Sequence, residues 1–224
     1  MKILVTGNTG YIGPVLGGRI KAGNNNIKLL GYDTGFFLHC LTAVDCSPDL
    51  NYDVQYYGDI RKFDKTILNG VDVVIHLAAI SNDPMGNNFS DVTDEINSKA
   101  SEEIAKKSKE AGVKKFIFAS SCSMYGSTDN NKKKESDSLN PLTAYAKSKV
   151  YMEKALEALS DNNFQATCLR YSTACGMTER LRLDLVLNDF VASALCTGNI
   201  EILSDGTPWR PLIDVQDMVR AIEW

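Results

Sequence analysis

The sequence lacks several features that would decide its class at once. No apolar run approaches the roughly 18–20 residues that cross a bilayer, and the amino end turns rich in glycine too early for a secretory signal. The six cysteines form no Cys-x-x-Cys pair, and only His39 and His76 could complete a metal cage. A formal net charge of −4 gives no general attraction to nucleic acid. We therefore expect a cytoplasmic protein with reduced thiols and with no metal, membrane or nucleic-acid partner.

What the 224 residues do contain is an alternation of strands and helices. Such alternation predicts βαβ units, and right-handed crossovers then give an α/β fold with a doubly wound parallel sheet, the Rossmann fold. The connection 34–52 is too long for a simple loop and predicts a short helix around 37–43. Strands are predicted at 2–6, 27–33, 53–57, 71–77, 115–119 and 166–170, and helices at 11–22, 93–111 and 142–159.

Three glycines follow the first strand, at Gly7, Gly10 and Gly13. The spacing G-x-x-G-x-x-G permits a tight turn, a close approach of backbone to a pyrophosphate, and packing of the helix on the strand. The amino end of the next helix adds free amides and a partial positive charge. No Gly-Lys-Ser/Thr follows, which excludes a nucleotide-hydrolysing P-loop. The motif predicts the phosphate end of a dinucleotide site, although a structural turn would also explain three glycines.

Acidic and small residues close the next strands. Asp33 ends the second strand, where its carboxylate can accept both ribose hydroxyls and would repel a 2′-phosphate, so NAD is expected rather than NADP. Asp59 closes the third strand, where it either meets the adenine amino group or caps a helix. The small residues at 77–79 leave room for a cofactor beside the fourth strand.

Tyr145 and Lys149 stand at i and i+4 and share one face of a predicted helix. A free tyrosine has a pKa of about 10, and a nearby lysine cation stabilises the phenolate and lowers that value. The pair could therefore take a proton from a substrate hydroxyl. Ser121 follows the fifth strand at the carboxyl edge, where its hydroxyl could bond the reacting oxygen.

Taken together, these motifs resemble an extended short-chain dehydrogenase/reductase of the NAD-dependent epimerase/dehydratase family. They occur in family order and cover nearly the whole chain. The matching stretches are 6–13, Gly58-Asp59-Ile60, His76-Leu77-Ala78-Ala79, 119–126, 145–149, Leu169-Arg170-Tyr171 and 210–217.

The resemblance implies a role for individual residues. The catalytic residues would be Ser121, Tyr145 and Lys149, and Asn97 would lie near the site in a functional or structural role. NAD would contact Gly7, Gly10, Tyr11, Ile12, Gly13, Asp33, Asp59, Ile60, Leu77, Ala78, Ala79, Tyr145, Lys149 and Tyr171. A nucleotide-sugar substrate would contact Ser81, Ser123, Ser172 and Arg210.

The chain departs from the family pattern at three places. Cys122-Ser123 replaces the Asp-Glu pair of 4,6-dehydratases, which argues against dehydration. Residues 172–176 read Ser-Thr-Ala-Cys-Gly, so the sugar is left open. The chain stops at Trp224, whereas family members continue. We therefore expect an NAD-binding domain at 1–171 and a small, truncated substrate-binding part at 172–224, interleaved with the last part of the sheet. The chain as a whole is expected to bind NAD but to turn over its substrate poorly.

The leading functional hypothesis is an NAD-dependent sugar-nucleotide epimerase or oxidoreductase. Two alternatives stay open: a reductase of a non-nucleotide ketone, disfavoured only by Arg210, and a non-catalytic dinucleotide-binding module. The helices 93–111 and 142–159 are the family's usual dimer-forming pair. Because Val150, Tyr151, Ala155 and Leu159 are apolar beyond what one sheet face needs, a homodimer is expected.

Overall fold

A six-stranded parallel sheet forms the centre of the computed structural model, which describes residues 1–24, 26–42, 47–81, 88–126, 132–207 and 209–224. The spatial order is β3-β2-β1-β4-β5-β6, and every neighbouring pair is parallel. The order reverses beside β1, which opens a crevice at the carboxyl ends of the strands. The predicted doubly wound fold is confirmed. The strands are β1 (Lys2–Thr6), β2 (Lys28–Asp33), β3 (Val54–Tyr57), β4 (Val73–His76), β5 (Lys115–Ser121) and β6 (Gln165–Tyr171).

The helices agree with the predicted ones except in the middle of 93–111. There Glu95–Ala100 forms a π-helical turn, and the Ser101 hydroxyl donates to the carbonyl of Ile96. The helix expected around 37–43 is a single 3₁₀ turn, Leu38–Cys40, and position 43 lies outside the described residues. The helices are α1 (Gly13–Gly23), α2 (Ser90–Asp94), α3 (Ser101–Glu110), α4 (Ala144–Leu159), α5 (Val186–Thr197) and α6 (Val215–Glu223).

Two hydrophobic clusters cover the two faces of the sheet. On one face Phe116, Phe118 and Leu156 are almost fully buried, in a cluster that joins the sheet to α3 and α4. On the other face Leu16 and Val219 bring α1 and α6 onto the sheet. Because helices cover both faces of the sheet, the side chains on both faces of each strand are apolar. This explains why the apolar residues of the strands are continuous rather than alternating.

The last part of the chain returns to the main sheet. Strands β7 (Thr173–Cys175) and β8 (Leu212–Asp214) form a separate parallel pair. Helix α6 follows β8 and packs against α1, and the hydroxyl of Tyr171 donates to the carbonyl of Met218 at 2.9 Å. Residues after 171 therefore contribute to the core of the Rossmann layer. Among the described residues, no helix combines the length and apolar character that crossing a bilayer would require.

Candidate functional site

The glycine loop lies at the carboxyl end of β1, in the crevice where the strand order reverses. The amide of Gly7 donates to the carbonyl of Tyr32 at 2.8 Å, which ties the loop to the end of β2. Gly7 has a φ of +74°, and a Cβ there would lie 2.5 Å from the amide nitrogen of Ala78. Only glycine fits, because the backbone leaving β1 touches the backbone leaving β4.

The amino end of α1 is free to receive an anion. Ile12 occupies the N-cap position and supplies no side-chain capping bond, and the first turn contains no acidic residue. A Cβ on Gly13 would lie 2.1 Å from the carbonyl oxygen of Asn8, so glycine is needed for this helix to start so close to the loop. Amides without a side-chain cap and a positive helix end suit a phosphate group.

Asp33 is held beside this loop at the end of β2. One carboxylate oxygen accepts the amide of Thr9 at 3.1 Å and the other accepts the amide of Gly35 at 2.9 Å. A carboxylate offers about four lone-pair directions, so these two bonds leave acceptors for ribose hydroxyls. The residues present therefore fit a dinucleotide, with phosphate loop and ribose carboxylate joined by one hydrogen bond.

Asp59 and Ile60 contribute differently from Asp33. The Asp59 carboxylate caps the 3₁₀ turn Ile60–Lys62 through the amide of Arg61 and pairs with the guanidinium of Arg61 at 2.6 Å. This pairing holds the pKa of Asp59 below its ordinary value. Ile60 is buried in the core. The capping interpretation of Asp59 is thus observed, and contacts of both residues with adenine stay predictions.

Lys149 lies at the opposite end of the crevice, buried beneath the end of β5. Its ammonium donates to the carbonyl of Ala119 at 2.7 Å and lies 5.3 Å from the ring centre of Tyr145 and 4.5 Å from that of Phe118. Burial lowers the pKa of Lys149 to about 7. Thr143 caps α4 just before Tyr145 and fixes where this helix begins.

Ser121 is the last residue of β5 and faces a short turn. Its hydroxyl oxygen accepts the amide of Ser123 at 3.2 Å and caps the 3₁₀ turn Cys122–Tyr125. The Ser123 hydroxyl oxygen is buried and, among the described residues, has no hydrogen-bond partner. Burial raises the pKa of the Cys122 thiol, and the nearby Arg210 partly offsets that rise. The structure therefore brings Ser121 and Ser123 together in one turn, with Arg210 close enough for its charge to act on Cys122 between them.

Asn97 has a clear structural role. Its amide group receives the backbone N–H of Ile80 and donates to the carbonyl of the same residue, both at 2.8 Å. It also donates to the hydroxyl of Ser148 on α4 at 3.4 Å. The π-helical turn that carries Asn97 thus clamps the chain leaving β4 against the helix of Tyr145. The asparagine was visible in the sequence, but the π-helical turn that aims it was not.

A second supporting network was missed at the sequence level. The carboxylate of Glu153 accepts the Ser120 hydroxyl at 2.6 Å and pairs with the guanidinium of Arg170 at 2.6 Å. Arg170 also donates to the hydroxyl of Tyr125 at 2.7 Å. The sequence feature that could have revealed this network is the position of Glu153, one helical turn after Lys149 on the same face of the helix. The network ties α4 to the segment that carries Ser121.

The other predicted contact residues lie in different surroundings. The Tyr171 ring is buried in the core, and its contact with the nicotinamide stays a prediction. The Tyr11 hydroxyl donates to the carbonyl of Gly176, far along the chain, at 2.7 Å. Ser81 is exposed and accepts the guanidinium of Arg182 at 3.0 Å, whereas Ser172 is half-buried after β6. Leu77, Ala78 and Ala79 are half-buried just after β4, and their contacts with NAD stay predictions.

Within the described ranges, no group of three or more histidine, cysteine or acidic side chains is arranged to hold a metal ion. Five cysteines in those ranges are free thiols, namely Cys40, Cys122, Cys168, Cys175 and Cys196, and Cys46 lies outside them.

Curated proteins of similar sequence include several that are named UDP-glucose epimerases. YtcB of Bacillus subtilis (strain 168), named an uncharacterized UDP-glucose epimerase, is 29% identical over 230 residues, which cover 99% of this chain and 71% of that protein. A UDP-glucose 4-epimerase of Lactobacillus helveticus is 28% identical over 247 residues, covering 99% of this chain and 70% of the relative.

Solved structures of similar fold include both epimerases and a dehydratase. The UDP-glucuronic acid 4-epimerase of Bacillus cereus, in complex with UDP-glucuronic acid and NAD, has a TM-score of 0.84 at 26% identity, covering 100% of this chain and 72% of that one. DesIV, a dTDP-glucose 4,6-dehydratase of Streptomyces venezuelae, has the same TM-score at 24% identity, covering 99% and 70%, which shows the shared fold alone.

The family model for NAD dependent epimerases and dehydratases matches residues 3–224, nearly the whole chain. This match confirms the resemblance seen in the motifs and, since the family is NAD-dependent, confirms NAD as the expected cofactor. The chain therefore belongs to the NAD dependent epimerase/dehydratase family.

Proposed function

We propose that this protein is an NAD-dependent sugar-nucleotide epimerase that acts at a hydroxyl-bearing carbon of the sugar. The observation that carries the proposal is the buried amine of Lys149 beside the ring of Tyr145, at the carboxyl end of β5. Burying a lysine so that its pKa falls to about 7 costs folding stability, and perturbed groups of this kind cluster at functional sites.

Tyr145 is the proposed base. The pKa of Lys149 is about 7, so part of the amine is charged at physiological pH. In its ammonium form Lys149, 5.3 Å from the centre of the Tyr145 ring, stabilises a phenolate over the neutral phenol. Tyr145 can next take the proton of a substrate hydroxyl.

Ser121 is the proposed third member of the set. Its position at the end of β5 puts its hydroxyl at the carboxyl edge, on the strand whose Ala119 carbonyl receives Lys149. There the hydroxyl can donate to the substrate oxygen that loses its proton, while its oxygen keeps the amide of Ser123. The Glu153–Arg170 pair holds this strand against α4. Two supports, Asn97 and Glu153, therefore fix Ser121 and Tyr145 relative to each other.

NAD would be held by the glycine loop, by Asp33 and by the residues at 77–79. Bound there, NAD would supply the acceptor of a hydride from the sugar carbon, and the resulting NADH would supply the hydride that returns to the opposite face. The chain's own contribution is to orient the cofactor between Asp33 at the end of β2 and Lys149 beneath the end of β5, since both lie at the carboxyl edge of one sheet.

The proposed substrate is a nucleotide diphosphate sugar. Arg210 is exposed and lies near Cys122, where a guanidinium suits a diphosphate. Ser123 offers a buried hydroxyl that has no partner among the described residues and could bond the sugar. The names of the relatives support a UDP-sugar.

Dehydration is not part of the proposed activity. Elimination of water from the sugar needs an acid and a base beside the reacting carbons. Positions 122 and 123 carry a thiol and a hydroxyl instead of two carboxyl groups, and burial raises the pKa of the Cys122 thiol so that it stays protonated. We expect the product to keep its hydroxyl groups, which mass spectrometry of the reacted sugar nucleotide can check.

Replacing Tyr145 by phenylalanine tests the mechanism. Tyr145→Phe removes only the proton acceptor, so turnover of the best UDP-, GDP-, CDP- or dTDP-sugar should fall by about 10²–10⁴-fold. NAD affinity, measured by titration calorimetry, should stay nearly unchanged. Tyr151→Phe, an exposed tyrosine on the same helix, is the matched control and should keep full activity. More than about a tenth of the activity left in Tyr145→Phe would mean that another group is the base.

Titration with sugar nucleotides also separates the alternatives. A non-catalytic dinucleotide-binding module would bind NAD but interconvert none of the sugars tested. A reductase of a non-nucleotide ketone would oxidise NADH only with such a ketone and would be indifferent to Arg210→Met. If the protein is the proposed epimerase, Arg210→Met should instead lower its affinity for the sugar nucleotide, because the contact with the diphosphate is removed.

We also propose that the protein forms a homodimer through α2, α3 and α4. Tyr151 is half-exposed on α4, and its hydroxyl donates to the carboxylate of Glu102 on α3, so these helices present one joined surface. Light scattering at micromolar concentration should give twice the chain mass, and a monomer would contradict the proposal.

A further inference from the structure

The segment 176–184, here called the strap, follows β7 and is anchored to three connections that follow strands of the main sheet. The carbonyl of Gly176 accepts the hydroxyl of Tyr11, next to the glycine loop. The carbonyl of Glu179 accepts the amide of Thr42 at 2.9 Å, in the connection that follows β2. The strap thus reaches from the loop after β1 to the connection after β2.

The third anchor lies after β4. The guanidinium of Arg182 donates to the hydroxyl of Ser81 at 3.0 Å and pairs with Asp184 at 2.6 Å. Asn188 holds this end of the strap, because its side chain receives the amide of Gly176 and donates to the carbonyl of Arg182, both at 3.0 Å. Strands β2, β1 and β4 are neighbours in the sheet. The three anchors therefore carry the strap across the carboxyl edge where the dinucleotide site lies.

Arg180 is the residue of the strap that calls for an explanation. Its guanidinium carbon lies 4.6 Å above the ring of Phe37, four residues after Asp33. One terminal nitrogen donates to the carbonyl of Leu181 at 2.7 Å. Its Nε is buried and has no hydrogen-bond partner among the described residues. A buried charged donor left unpaired is costly, which indicates that a ligand supplies the missing acceptor.

The position of Arg180 indicates which ligand group that acceptor belongs to. Asp33 marks the adenosine ribose, and the amino end of α1 marks the phosphates. Arg180 reaches the crevice from the side of Phe37, while its own strap is tied to Tyr11 beside the glycine loop. A guanidinium on a strap that is anchored both beside the glycine loop and in the connection after β2 is suited to a phosphate oxygen of a dinucleotide bound there.

We propose that the strap closes the cofactor site and that Arg180 binds the pyrophosphate of NAD. The consequence is that residues after 171 take part in cofactor binding, contrary to the expectation that 1–171 contain almost the whole NAD site. The inference depends on NAD as the cofactor and not on the proposed epimerase reaction, so it can be tested by binding alone.

The test compares NAD and NADP binding by titration calorimetry in four proteins: the unchanged chain, Arg180→Met, Arg180→Lys and Arg220→Met. Arg220 is an exposed arginine on α6 and serves as the matched control. We expect Arg180→Met to weaken NAD about ten-fold or more at low salt and to weaken NADP by the same factor, because both carry the pyrophosphate. Arg180→Lys should keep part of the affinity, and Arg220→Met should keep all of it.

Salt dependence and thermal unfolding complete the experiment. A lost contact between a cation and a phosphate reduces the slope of log Kd against log salt concentration, so Arg180→Met should have a shallower slope than the unchanged chain. Thermal unfolding without ligand shows whether each variant is folded. If Arg180→Met does not fold, Arg180→Gln, which keeps a polar side chain but removes the charge, takes its place and should have the same shallower slope. NAD affinity within two-fold of the unchanged chain, or a change in NADP affinity alone, would overturn the proposal.

Discussion

The regions 1–171 and 172–224 differ in the interactions that stabilise them. In the first, side chains such as Leu4, Phe116 and Leu156 are completely buried between the sheet and its helices. In the second, Leu195, Leu203 and Trp209 are 82%, 92% and 88% exposed. Apart from α6 and from Ala174 and Ile213, which pack on the main core, the second region reaches the first mainly through hydrogen bonds.

This difference separates stability from function within one chain. Burial of apolar surface is the main source of folding stability, so the sheet region is expected to unfold last. Polar anchors between a strap and a sheet are individually worth only about 1 kcal/mol, so the strap can open at a smaller free energy. A segment that opens this way suits a site that must admit and release a dinucleotide.

The largest expected effect comes from truncating a core residue of the first region. Phe116→Ala leaves a cavity where the ring packed, and we expect a loss of about 3–5 kcal/mol in the free energy of unfolding, measured by urea denaturation. Leu195→Ala on α5 is the comparison from the second region and should change stability by less than about 0.5 kcal/mol. Equal losses in the two variants would contradict the contrast between the regions.

A second effect concerns His76, which joins β4 to the helix that follows. Its Nε2 bonds to the Ser101 hydroxyl oxygen at 2.9 Å, and its Nδ1 bonds to the Thr6 hydroxyl at 2.8 Å. Since the Ser101 hydroxyl donates to Ile96, its oxygen accepts from Nε2, which places a proton on that nitrogen. In the neutral imidazole, Nδ1 then accepts the Thr6 hydroxyl. Burial lowers the pKa of His76 to about 3.

The stability of the sheet region should therefore fall in acid. Between pH 3 and 6.5 the unfolded histidine binds a proton that the folded one does not, so stability is lost as the pH falls through this window. We expect a loss on the order of a few kcal/mol. Thermal unfolding from pH 7 to 4 measures it, with His76→Gln as the control that titrates less steeply. Identical pH profiles for the two proteins would show that His76 does not contribute.

A third effect is cofactor discrimination. Asp33 would face the extra phosphate of NADP, so NAD should bind more tightly in the unchanged chain, and Asp33→Ala should narrow that preference. The same calorimetric titrations give both affinities. NADP binding more tightly than NAD in the unchanged chain would refute the role of Asp33. Because Asp33 also receives the amide of Thr9, some loss of NAD affinity should accompany the change.

The smallest effect tests the anchor of the strap. Tyr11→Phe keeps the ring but removes the bond to the carbonyl of Gly176, which is worth about 1 kcal/mol. Trypsin cleavage after Arg180 or Arg182 should become several-fold faster, while global unfolding stays nearly unchanged. NAD should slow the cleavage in both proteins. Unchanged cleavage in Tyr11→Phe would mean that the anchor does not hold the strap.

Much of the site could be predicted because its signals are local. The strand before Gly7, the carboxylate that ends β2 and the i, i+4 pair of Tyr145 and Lys149 each depend on a few consecutive residues. A parallel sheet then gathers the carboxyl ends of its strands at one edge, so these separate signals meet without further information. The short, strongly apolar strands were placed to within two or three residues for the same reason.

What the sequence by itself determined is the alternation of elements, the order of the motifs and the kinds of side chain brought to the sheet edge. Only the tertiary structure decided that the Tyr171 ring packs in the core, that Asn97 lies on a π-helical turn, and that the strap joins Tyr11 to Gly176. These features depend on contacts between residues far apart in the chain, and no local periodicity encodes which distant carbonyl a hydroxyl will meet once the two faces of the sheet are covered.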